Sequence, residues 1–331
     1  MGCWPLPRRR GCTTTWQVAA KVSLIDLSAD LCGVRLRNPL VLASGIWGCC
    51  AETLVRAARA GAGAVTAKSC SLEPRKGHPN PTVLDWGGGL INAVGLANPG
   101  AAEERDILRA ARQALEPLGV PLIASVFGHS PGEFCQAVRL VAQAEPDFIE
   151  LNISCPNVES EFGRPFALDP VAAARVTEAV RGVYSRRLLI KLSPNTPDIV
   201  DVARAVAAAG ADGLTAVNTL GPGMIIDVRA RRPVLANLVG GISGAALRPV
   251  AVRCVYEITR AVSIPVIGMG GVLSGEDAME MIMAGATAVG IGSALHTEGE
   301  GAFARILAEL KELMQEEGYR SLGQFRGCAH V

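Results

Sequence analysis

A closed parallel (β/α)8 TIM barrel is the fold this sequence predicts. Three observations carry that reading. Eight short apolar runs recur along the chain, most are rich in β-branched residues, and stretches of helical period separate most of them. The runs are apolar throughout rather than alternating, as expected for strands covered on both faces by helices. An open doubly wound sheet is the alternative architecture.

The predicted strands lie at residues 39–43, 64–67, 121–127, 147–151, 188–192, 213–217, 264–267 and 288–291. Between the second and third, Ile107, Leu108, Ala111 and Leu115 fall on one helical face, with Glu103, Arg105 and Arg109 elsewhere. The last helix repeats the pattern with Phe303, Ile306, Leu307, Leu310 and Met314. Three connections are longer than the rest, at 71–100, 157–169 and 219–245. All three follow a strand, so a barrel would place them on its C-terminal face, where barrel enzymes keep their chemistry.

The 331 residues suit a single barrel domain spanning 22–331. Residues 1–21, with Arg8-Arg9-Arg10 and no apolar core for a signal peptide, read as a disordered tail; another reading puts the true start at Val22. A net charge of +1 argues against a nucleic-acid partner. No apolar run approaches the roughly 18 residues a membrane span needs. The ten cysteines include no CxxC pair, so no zinc or iron–sulfur site is expected on this chain. Free thiols without a secretory signal suggest the cytoplasm.

Read at their C-terminal ends, the strands yield polar residues and glycines. They are Ser44 and Gly45, Lys68 and Ser69, Ser125, Asn152, Lys191, Asn218 and Thr219, Gly270 and Gly271, and Gly292 and Ser293. Strand ends often turn polar as the chain reaches water, which explains any one of these residues. Two lysines, several asparagines and two glycine loops at one end of successive strands need more. Lysines at a barrel mouth call for an anion. The loops Gly268-Met-Gly-Gly271 and Gly290-Ile-Gly-Ser293 follow strands seven and eight, where many barrels bind phosphate through backbone N–H groups. Cys155, between Ser154 and Pro156, has three readings: structural thiol, covalent nucleophile or general base.

Four segments, Glu150-Leu-Asn-Ile-Ser-Cys-Pro-Asn157, Asn92-Ala-Val-Gly-Leu-Ala-Asn98, Val217-Asn-Thr219 and Gly268-Met-Gly-Gly271, resemble the dihydroorotate dehydrogenases. The resemblance runs from about Leu27 to the C-terminus. It implies an FMN-binding barrel that oxidises dihydroorotate to orotate in pyrimidine biosynthesis, with Cys155 as the catalytic base of a soluble class 1 enzyme. The Asn92–Gly100 segment looks more like the NAD-linked type 1B than the fumarate-linked type 1A. Type 1B implies a homodimeric core with two electron-transfer subunits carrying FAD and a [2Fe–2S] cluster, a heterotetramer.

By the same resemblance, Ala43, Ser44, Gly45, Lys68, Ser69, Ser125, Asn152, Lys191 and Val217 would contact FMN. Gly240, Gly241, Gly270, Gly271, Gly292 and Ser293 would hold its ribityl phosphate. Lys68, Asn92, Val94, Gly95, Leu96, Asn152, Asn157, Asn218 and Thr219 would grip the substrate. Competing readings are a flavin barrel acting on uracil or thymine, a colourless lyase or isomerase with a phosphorylated substrate, and a barrel without catalysis.

Overall fold

The computed structural model describes residues 25–154 and 166–331. Cys155 and Asn157, and the tail at 1–21, lie outside the described residues.

The described chain opens with a hairpin, β1 (Ala29–Leu31) and β2 (Val34–Leu36). Strand β3 (Leu40–Leu42), helix α1 (Ala51–Arg59) and strand β4 (Ala64–Thr66) follow. Strands β5 (Val83–Asp85) and β6 (Leu90–Asn92) then precede α2 (Ala101–Leu115). The regular alternation resumes with β7 (Leu122–Val126), α3 (Pro131–Val141), β8 (Phe148–Asn152), α4 (Pro170–Arg181), β9 (Leu188–Lys191), α5 (Ile199–Ala208) and β10 (Gly213–Ala216). Four short strands interrupt it: β11 (Leu220–Gly223), β12 (Ile226–Asp227), β13 (Arg232–Pro233) and β14 (Gly240–Ser243). The chain ends with α6 (Arg248–Ala261), β15 (Val266–Met269), α7 (Gly275–Met283), β16 (Ala288–Ile291), α8 (Ala294–Glu298) and α9 (Gly301–Glu316).

Eight of these strands close a parallel barrel in the order β3, β4, β7, β8, β9, β10, β15, β16. These are the eight predicted runs, with small differences at their ends. The seventh, predicted at 264–267, begins instead at Val266. Pro265 has no amide to give the ladder, although its carbonyl still accepts from Leu214 N at 2.9 Å. Pro39 and Pro121 stand at strand entrances in the same way, accepting from Val289 N (2.8 Å) and Val65 N (3.0 Å).

Period-two alternation sorts the barrel side chains. Val41, Ala64, Ile123, Phe148, Leu189, Ile267 and Ala288 point inward near the strand starts and pack with Leu31 and Leu36 of the hairpin, which plugs that end. Their outward neighbours, among them Leu122, Ala124, Ile149, Leu151, Leu188 and Ile190, pack under the helices. Helix α2 buries Leu108, Ala111 and Leu115 as expected, with Ile107 at the margin. Glu104 shares the buried face, which its charge does not predict. Helix α9 buries Phe303, Ile306, Leu310 and Met314, and Leu307 is half-buried.

The long connections differ from the sequence reading. Segments 71–100 and 219–245 together build a four-stranded antiparallel sheet, ordered β11, β14, β6, β5. Two of its strands read Leu-Gly-Pro-Gly and Gly-Gly-Ile-Ser, compositions with little intrinsic strand preference. They pair because the barrel brings their ends together.

Candidate active site

The inward row of side chains turns polar toward the strand C-termini. On β7 Ile123 is followed inward by Ser125; on β8 Phe148 gives way to Glu150 and then Asn152; on β9 Leu189 gives way to Lys191. Ladder pairing sets Asn152 beside Lys191 and Ser125 beside Glu150. Alternation therefore delivers a polar floor at one end of an otherwise apolar barrel.

Above that floor lies a cavity of about 520 Å³. This is within the range of about 300–1,000 Å³ usual for small-molecule sites. Its walls include Ala43, Ser44 and Gly45 after β3, Lys68 and Ser69 after β4, Asn152, Lys191, and Val217, Asn218 and Thr219 after β10. Gly270, Gly271, Gly292 and Ser293 line one end. The four-stranded sheet supplies Asn92 from one side, followed by Val94, Gly95 and Leu96 in the connection after β6, with Gly240 and Gly241 from the other. Asn92 is paired with Gly241 and donates Nδ2–H to its carbonyl at 3.3 Å. Of the described residues predicted for the site, Ser125 alone stands back from the cavity: it is 1% exposed and hydrogen-bonds Ser69 Oγ at 2.9 Å from below.

Glycine is required where the walls meet. A Cβ on Gly241 would lie 2.2 Å from Thr219 Oγ1. Gly271 has φ +79°, and a Cβ there would lie 2.7 Å from the Gly244 carbonyl oxygen. The backbone amides of Gly270, Gly271, Gly292 and Ser293 donate to no acceptor among the described residues. Free amides lining one end of a cavity are anion-binding groups.

Two lysines face this space, and neither makes an ion pair among the described residues. Lys191 is 5% exposed. Burial pulls Lys68 below the ordinary lysine range; the neighbouring Lys191 pulls the same way, while Cys49 and Glu104 oppose it. An anion entering this space would offset the cost of burying Lys68 beside Lys191.

Several lining residues were not among those expected for the site. Asn195 accepts from Gly221 N at 2.9 Å and donates to the Thr219 carbonyl at 3.4 Å, tying down the start of β11. His78 holds the loop opposite: its backbone N–H donates to the Val94 carbonyl at 3.1 Å, and its Nδ1 lies 3.1 Å from the Ala93 carbonyl. Ser154 Oγ donates to Asn152 Oδ1 at 2.7 Å and accepts from Asn218 Nδ2. No described cysteine lines the cavity. Burial pushes the Cys32 thiol up to about 12 and raises Cys70 and Cys254 as well, which suits packing rather than reactivity.

A profile of the family described as dihydroorotate dehydrogenase matches residues 26–314. The chain is 45% identical over 304 residues to the dihydroorotate dehydrogenase B (NAD(+)) catalytic subunit of Methanothermobacter thermautotrophicus, covering 92% of this chain and 98% of that one. It is 42% identical to the subunit of the same name from Methanosarcina mazei, covering 92% and 95%. With that of Bacillus pumilus it shares 42% identity, covering 91% and 96%. A profile match across nearly the whole barrel, together with full-length relatives at this identity, establishes that the chain belongs to the dihydroorotate dehydrogenase family.

Proposed function

We propose that this protein oxidises (S)-dihydroorotate to orotate in pyrimidine biosynthesis, as an FMN-dependent, NAD-linked catalytic subunit. The observation that carries the reading is the cavity itself, which sets two unpaired lysines and a row of free glycine amides around one enclosed space. FMN, the family's cofactor, supplies a hydride acceptor when bound. The residues present fit it: the unpaired amides of Gly270, Gly271, Gly292 and Ser293 suit a phosphate. Ala43, Ser44, Gly45, Ser69, Val217, Gly240 and Gly241 would then serve the rest of the cofactor, and Lys191 would offer its ammonium to the ring. Ser125 acts on this site through Ser69.

Dihydroorotate is a ring acid with amide donors and acceptors. Lys68 balances its carboxylate. Asn92, Asn152 and Asn218 both donate and accept, so they can read the ring edge, while Thr219 and the Val94, Gly95 and Leu96 backbone close around it. Oxidation takes a hydride from one ring carbon and a proton from its neighbour. Cys155 takes the proton as a thiolate, and Asn157 of the same sequence segment completes the grip on the substrate.

The name of the relatives, catalytic subunit, supports a partner that carries electrons onward. We assign FAD and a [2Fe–2S] cluster to that partner, two copies flanking a homodimer of this chain, in the cytoplasm. Among the described residues no helix is long and apolar enough to cross a membrane.

The test is spectroscopic. Purified protein should be yellow, release FMN on denaturation, bleach with dihydroorotate and shift its spectrum with orotate. A colourless protein, or one that responds to uracil but not to orotate, overturns the reading.

A further inference from the structure

Below the cavity floor, a row of side chains forms one hydrogen-bonded chain across the barrel. It begins at Glu150, 1% exposed on β8. Both its carboxyl oxygens accept: Ser125 Oγ donates to one at 3.0 Å and Thr215 Oγ1 to the other at 2.8 Å. Ser125 Oγ is 2.9 Å from Ser69 Oγ, and Asn152 Nδ2 donates to Ser69 Oγ at 3.3 Å. Asn152 Oδ1 accepts from Ser154 Oγ at 2.7 Å, from the Ser154 backbone N–H at 3.4 Å and from Asn218 Nδ2 at 3.4 Å.

Each hydroxyl has one proton to give, and that fixes the direction of the chain. Ser125 gives its proton to Glu150, so in the contact with Ser69 it can only accept. Ser69 therefore donates to Ser125 and has nothing left for Asn152 but lone pairs. It must meet the amide N–H, not the carbonyl. Ser44 Oγ, 3.3 Å from Ser69 Oγ, gives its own proton to the Ala67 carbonyl at 2.9 Å, so toward Ser69 it too can only accept and the order stands. The Asn152 amide is thus locked with its nitrogen toward Ser69 and its oxygen toward Ser154 and Asn218.

We infer that Glu150 is a positioning residue. By accepting on both oxygens it sets the polarity of the Ser125–Ser69 relay, and so reinforces, from the side opposite the Ser154 backbone N–H, the way round that the Asn152 amide faces the bound ligand. The inference rests on the proposed function, in which Asn152 reads the pyrimidine. A purely structural role, in which Glu150 only satisfies two buried hydroxyls, treats Ser125 and Thr215 alike. The relay does not: Ser125 leads to Asn152 and Thr215 leads away.

The experiment compares Ser125→Ala, Glu150→Leu and Thr215→Val in the FMN-loaded protein. Orotate dissociation constants are read from the flavin spectrum, FMN affinity from fluorescence on release, and stability from thermal melting. Ser125→Ala and Glu150→Leu free the Ser69 proton to turn toward Asn152. Both should retain FMN and weaken orotate by about 10-fold or more, the scale of one misdirected buried hydrogen bond. Thr215→Val should bind orotate within about 3-fold of wild type, even where its melting temperature falls. Orotate affinity unchanged in Ser125→Ala, or lost equally in Thr215→Val, overturns the inference. Should Glu150→Leu fail to fold, the Ser125 and Thr215 pair decides alone. A wild-type protein that binds no orotate instead sinks the functional reading beneath it.

Discussion

Glu104 carries a charged side chain into the core. It is 1% exposed, and neither carboxyl oxygen has a hydrogen-bond partner among the described residues. Burial pushes its pKa up to about 8, the Glu103 charge adds to this, and Lys68 opposes it. The folded state therefore holds this proton where the unfolded chain, with an ordinary glutamate near 4.5, has released it. The stability due to the protonated form is complete below that lower value and drains away as pH rises to about 8, at up to about 1.4 kcal/mol per pH unit. Glu104→Gln should flatten that slope, so denaturant melts at pH 5 and pH 8 should differ less than in wild type. An unchanged pH dependence would show that Glu104 is not the buried proton.

Lys68 gives a second pH signature. Because burial makes it a weaker base than a free lysine, orotate binding should fall off on the alkaline side before the ordinary lysine range. Titration of the flavin spectrum at stepped pH checks this. Cys155 carries the third prediction at this scale. Cys155→Ala should keep FMN and lose roughly 10²- to 10⁴-fold in turnover, while wild-type flavin reduction should quicken with pH as the thiol ionises. Stopped-flow reduction by dihydroorotate reads both; near-normal reduction in the alanine variant removes Cys155 from the mechanism. Lys68 was legible because strand ends are easy to locate. Glu104 was not: on a helix with charges at 103, 105, 106 and 109 it looks like one more solvated residue.

At the scale of elements, the sheet over the mouth shows what local pattern leaves out. Asn92 and the pair Gly240 and Gly241 were each assigned to the site through family resemblance, from connections far apart in sequence. The structure joins them on adjacent strands, β6 and β14. Nothing in either segment alone announces a strand, since glycine and proline disfavour one. The close approach explains the glycines. Gly241→Ala would drive a methyl into Thr219, and the resulting shift of β14 should weaken both FMN and orotate binding while the barrel core melts nearly as before. Calorimetric melting with paired ligand titrations tests this. Intact binding would mean the sheet yields without cost. The barrel helices behave more simply: on α2 and α9 the 3.6-residue period named most of the buried face before any contact was known.

At the scale of the whole molecule, the proposed reaction passes electrons onward to a partner chain. If the protein works as its B-type relatives are named, isolation from the native cell should recover a companion chain bearing FAD and iron. The isolated subunit should then reduce NAD poorly and regain the activity when that chain is restored. A lone homodimer that turns over rapidly with fumarate would place it instead with the fumarate-linked type.

Sequence by itself determined the eight-stranded barrel, the strand ends and the two glycine loops, because apolar period and turn chemistry are local properties written residue by residue. Strand-end position also reached Lys68, Lys191, Asn152 and Asn218, and the family motifs added Asn92. Tertiary structure decided the rest. Only chain closure turned two loops into a sheet, buried Glu104 against its charge, moved Ser125 one layer below the cavity, and joined Glu150 to Asn152 through two hydroxyls. Those contacts join residues on different strands and loops, up to 149 positions apart for Asn92 and Gly241, and no local pattern encodes such a distance.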